Sequence, residues 1–161
     1  MRARRWWIGA AACVLLTLHG AGAAPSDDAN DQALLGDGDY RAGLAALKAG
    51  DAAAALRRFE FALRRFPDSA DLHNELGFAH RKLRQMDRAF EHYKRALLIE
   101  PRHRGAHEYI GEAYLMVGDV ASAEEHLAAL RSICLLPCEE LTELEKAISA
   151  HRAQSEATQA R

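Results

Sequence analysis

Cys134 and Cys138 bracket the stretch Cys-Leu-Leu-Pro-Cys, the spacing in this chain that most invites chemistry. Three chemistries suit it. Two thiols in an oxidising compartment form a disulfide. A bridge closing so short a loop would contribute about 2 kcal/mol in the chain-entropy model and pin the following helix to the preceding one. The same pair suits thiol redox exchange, and it suits copper(I), because thiolates favour soft metals. Copper(I) would need another ligand. His126, eight residues before Cys134, lies about 12 Å away along a helix that rises 1.5 Å per residue. A structural disulfide is the leading reading, and a thiol-redox or copper-handling accessory role is the alternative.

The histidines offer a second cluster to weigh. His103 and His107 are four residues apart, with Glu108 beside them. Pro101 places His103 in a turn, off the helix face that carries His107. His73 and His107 stand 34 residues apart, which in neighbouring helices means about 8–10 Å. Ligation over that span needs a third group, so packing or surface roles are expected and no metal or cofactor is predicted. No Gly-rich phosphate loop, Gly-x-Ser-x-Gly turn or Ser/Asp grouping around a histidine occurs. The chain reads as non-enzymatic.

The elements that must position these residues are helical. The chain is 49% hydrophobic and 27% charged, an ordinary globular balance. Alanine, leucine, arginine and glutamate dominate, all strong helix formers, and no stretch alternates with period two. Residues 1–23 stand apart. Arg2, Arg4 and Arg5 precede the apolar run IGAAACVLLTL, and Ala21-Gly22-Ala23 supplies a small-residue cleavage site. This is the anatomy of a secretory signal peptide. The run is short for a membrane span, so no stable membrane insertion is expected after cleavage. An exported protein of the bacterial periplasm is expected. Without those three arginines, 18 basic residues face 23 acidic ones, a net charge of −5. That balance argues against a nucleic-acid partner.

Self-similarity is the strongest signal in the sequence. Gly43, Gly77 and Gly111 are 34 residues apart, and Ala55, Ala89 and Ala123 keep the same interval. So do Phe59, Tyr93 and Leu127, while Pro67 and Pro101 punctuate the first two units. The middle unit, ADLHNELGFAHRKLRQMDRAFEHYKRALLIEPRH, carries Leu76-Gly77, Ala89, Tyr93, Ala96 and Pro101. On these residues the chain resembles the tetratricopeptide repeat family. The resemblance implies an all-α, right-handed superhelical solenoid of three helix pairs, at 36–69, 70–103 and 104–137. The recurrent small residues let helices approach closely, with Phe59, Tyr93 and Leu127 filling the space beside them. Leu141, Leu144 and Ile148 recur at i, i+3 and i+7, one apolar stripe. They predict a capping helix over 138–155, and Glu145 at the glycine position blocks a further partner. Residues 24–35 are expected to be a flexible segment and 156–161 a frayed tail.

In that family the first helix of each pair lines a concave face. Carrying positions over gives Tyr40, Leu44 and Lys48 from the first unit. The second gives Asn74, Phe78, Arg81 and Lys82, and the third gives Glu108, Glu112 and Met116. The resemblance implies a groove for another protein or peptide. Tyr40, Phe78 and Met116 would make apolar contacts, and Arg81, Lys82, Glu108 and Glu112 would set charge selectivity. Self-association through an uncapped first helix is a further possibility.

Overall fold

The computed structural model describes residues 27–159. The expected signal peptide at 1–23 lies outside them. The described residues form eight helices: α1 (Asp27–Gly36), α2 (Gly38–Lys48), α3 (Ala52–Leu63), α4 (Ala70–Lys82), α5 (Met86–Ile99), α6 (Arg104–Met116), α7 (Val120–Ile133) and α8 (Glu139–Gln159). Helices α2 and α3, α4 and α5, and α6 and α7 pack as hairpins. Each hairpin stacks on the next through α3 against α4 and α5 against α6, and α8 closes the row against α6 and α7. The result is an all-α solenoid.

Local sequence sets where the helices begin. A side-chain acceptor at the N-cap satisfies an otherwise unpaired helical N–H. Asp37 accepts from the Asp39 and Tyr40 amides, each at 2.9 Å. Asp51 accepts from Ala54 at 2.8 Å, Ser69 from Leu72 at 3.2 Å, and Asp119 from Ser122 at 3.0 Å. The turns inside the first and third hairpins use Gly50 (φ 80°) and Gly118 (φ 82°). The middle hairpin places Arg84 there at φ 61°, and Gln85 begins α5 without a side-chain cap.

The three periodic glycines are packing notches. A Cβ on Gly43 would collide with the Phe59 ring, and one on Gly77 would sit 2.6 Å from Tyr93 Cδ1. A Cβ on Gly111 would lie 2.7 Å from Leu144 Cδ2. The ring edges of Phe59 and Tyr93, both fully buried, therefore lie directly on the α2 and α4 backbones. In the third unit the filler is Leu144 of α8, not Leu127 as the repeat register suggested. Leu127 is buried in the same cluster, with Leu115, Leu130 and Ile148. The capping helix thus supplies the plug that the third hairpin lacks.

The structure departs from the sequence reading at both ends. Residues 24–35, expected to be flexible, contain most of α1, whose Leu34 is fully buried beside Tyr40 and Phe59. Helix α8 extends to Gln159, into the expected tail. Glu145, at the glycine position, is exposed and pairs with Arg131 of α7 at 2.9 Å. Residue by residue, α8 buries Leu144 and Ile148 and turns its charges outward.

Candidate partner-binding face

The first helices α4 and α6 bring together an aromatic and a cationic group. The rings of Phe78 and Tyr109 lie 5.0 Å apart, centre to centre. The Arg81 guanidinium sits 5.2 Å from the Phe78 centroid and 5.4 Å from that of Tyr109. The spacing is that of cation–π contacts. Arg81 also donates to Glu112 at 2.5 Å, with side chains only 10% and 28% exposed. Lys82 holds its ammonium 5.0 Å from the Phe78 centroid. Both rings remain half-buried, so each keeps a solvent-facing part. A shallow groove continues from Arg81 and Glu112 past Leu115 and Met116 to Ala147 and His151 of α8.

Carboxylates flank this cluster. Burial, with the nearby Asp71 charge, pushes Glu75 up to about 7. Burial does the same to Glu108, helped by Glu112, Glu140 and Glu143, again to about 7. These two carboxyls lie where negative charge is poorly compensated. Asp71 behaves oppositely. Its hydrogen bond with His103 Nε2, at 2.9 Å, holds it below the usual carboxylate range against the opposing effect of burial. For His103 burial opposes the charge, but Asp71 outweighs it and raises the imidazole.

The residues singled out from sequence divide in the structure. Phe78, Arg81, Lys82, Glu108, Glu112 and Met116 occupy neighbouring turns of α4 and α6, and Met116 is 41% exposed. Tyr40 does not belong to an open surface: it is 5% exposed and packs 5.9 Å from the Phe59 ring centre. Its register position is right for a groove, but α1 and the first core cluster cover it. Leu44 is half-buried against that cluster, and Lys48 is exposed at the end of α2. Asn74 is 5% exposed. Its Nδ2 would lie 3.4 Å from a Cβ on Gly105, so it packs α4 against α6. Arg81 is a buried, ion-paired anchor rather than a free cation.

Tyr109 and Glu75 were missed. They share one register position, 34 residues apart, one residue beyond Asn74 and Glu108. A wider apolar stripe on α6 would have signalled Tyr109. Cys134 and Cys138 lie apart from this face with their sulfurs 2.13 Å apart. Among the described residues no group of three or more His, Cys, Asp or Glu side chains gathers as a metal site. No described helix is long and apolar enough to cross a membrane.

Comparison with curated proteins returns no match. The tetratricopeptide repeat model matches residues 40–101 and, overlapping them, 79–133. Joined to the hairpin stack and the filled glycine notches, these matches show that the chain belongs to the tetratricopeptide repeat family.

Proposed function

We propose that this protein is a non-enzymatic interaction scaffold of the cell envelope that binds a partner peptide or helix on the face formed by α4, α6 and α8. Tetratricopeptide repeats point to protein partners. The observation that carries the reading is the half-buried Phe78–Tyr109 pair braced by the partly buried Arg81–Glu112 ion pair. Aromatic anchors held rigid in this way dominate binding hot spots. Tyr109 takes the anchoring place first assigned to Tyr40, and Met116 extends the apolar contact toward α8. Lys82 and Glu108 set charge selectivity at the rim, and Glu112 holds Arg81 in place.

The export reading is supported by the basic, apolar and small-residue order of residues 1–23. It is checked by sequencing the N-terminus of the exported protein, which should begin at Ala24. The close Cys134 and Cys138 sulfurs support a disulfide that ties α7 to α8. Thiol counting on the exported protein should then find no free thiol in the folded domain.

Capture from an envelope extract tests the binding face. A Phe78→Ala/Tyr109→Ala variant with an unchanged helical circular dichroism spectrum should recover at least about tenfold less partner, as expected for loss of two anchors. Undiminished capture would remove this face from the assignment.

A further inference from the structure

The second and third hairpins contain the same histidine device, displaced by 34 residues. Between α4 and α5, His73 Nδ1 lies 3.0 Å from His92 Nδ1, and His73 Nε2 lies 3.0 Å from the Pro67 carbonyl oxygen. Between α6 and α7, His107 Nδ1 lies 2.9 Å from His126 Nδ1, and His107 Nε2 lies 3.1 Å from the Pro101 carbonyl oxygen. His73 and His107 are buried to 8% exposure, and His92 and His126 are half-buried.

The carbonyl fixes the hydrogens. It can only accept, so Nε2 of His73 and of His107 carries the hydrogen, and in the neutral ring Nδ1 is a lone pair. His92 and His126 must then donate through Nδ1. One hydrogen fills each Nδ1–Nδ1 gap. A first added proton is tolerated: the ring facing the carbonyl becomes the donor across the gap, and its partner moves its own hydrogen to Nε2. A second added proton sets two N–H groups head to head, and the rings must part.

The surroundings disfavour charge. His73 faces Arg95 and Asp68 as well as His92. His92 faces His73 and His80 from α4, with Arg88 and Glu91 on its own helix. His80 stacks on it at 5.3 Å. His107 faces His103 and His126, and His126 carries the Tyr114 ring stacked at 5.7 Å. Burial, aided by the neighbouring imidazoles, brings His92 and His126 down to about 4. Each pair joins both helices of its own hairpin to the Pro turn that ends the hairpin before it.

We propose that the two histidine pairs are acid-released latches at the joints between hairpins, closed with up to one added proton and opened by the second. This regulation concerns the stack itself and does not depend on the partner-binding reading. The test is imidazole and amide 15N NMR on the full chain from about pH 7.5 to about pH 3, which carries the titration from the ordinary histidine range past the value of about 4 at which His92 and His126 take up a proton. At the upper pH His73 and His107 should be Nε2–H tautomers, and His92 and His126 Nδ1–H tautomers. On acidification the amides of residues 67–73 and 101–107 should shift in step with the second proton of each pair. In His92→Asn/His126→Asn, where a non-titrating amide can donate or accept, those shifts should vanish. Should the double variant not fold, each single variant should silence only its own hairpin. Nε2–H tautomers on His92 and His126 at the upper pH, where the pairs are neutral, or the same acid shifts in the variants, would overturn the proposal.

Discussion

A methyl group at residue 77 has no room. Its carbon would stand 2.6 Å from the Tyr93 ring, and the ring is walled in by a fully buried core. Gly77→Ala should therefore cost about 2 kcal/mol, despite alanine's better helix propensity, read as a lower urea midpoint. Glu75 sets a second residue-level expectation. Its carboxyl titrates at about 7 in the folded protein against 4.5 for the ordinary group, so ionisation costs the folded state. Stability attributable to this group is complete below the lower value and is lost as pH rises through the higher one. Glu75→Gln should raise stability by about 1 kcal/mol near pH 8, discounting for partial exposure, and change nothing near pH 4, measured by denaturation at both pH values. The notches were legible because a 34-residue period repeats three times. The fate of Tyr40 was not, because register gives a direction and not what lies over it. Leu34, the side chain that helps cover it, sits in a polar segment with no periodic stripe. The histidine pairs escaped for a related reason. Register aligned His73 with His107, whereas contact joins His73 to His92 across one hairpin.

At the scale of elements, the turns differ in quality. Arg84 adopts the left-handed conformation that Gly50 and Gly118 provide in the other hairpins. A side chain there costs about 1 kcal/mol. Arg84→Gly should recover it, raising the melting temperature by several degrees as expected for a domain of this size. Gln85→Asp should add a cap of similar worth to α5. The junction of α7 and α8 is the other element-level test. If Cys134 and Cys138 are bridged, reduction should cost about 2 kcal/mol. The loss should appear first as faster amide exchange in α8, because that helix follows the closed loop directly. The existence of α8 was readable from Leu141, Leu144 and Ile148. Its plugging of Gly111 was not, because the repeat supplied Leu127 as an apparent filler.

The whole molecule is a short row of hairpins that cannot bury its last face alone. Without α8, Gly111, Leu127 and Leu130 would open to water, and solenoids need such caps for solubility. Deleting residues 139–159 should lose more helical signal than the deleted segment contributes and should lower solubility. The proposed binding surface lies on the first helices, while Phe61 and Leu98, 45% and 71% exposed, lie on the second helices. The two surfaces make opposite predictions about where a partner docks. Photo-crosslinking residues placed singly at 78, 116, 61 and 98, and activated in cells of the native host, decide it most directly. Binding on the first-helix face predicts one discrete crosslinked partner from positions 78 and 116 and none from 61 or 98. Crosslinking from 61 and 98 alone would contradict it.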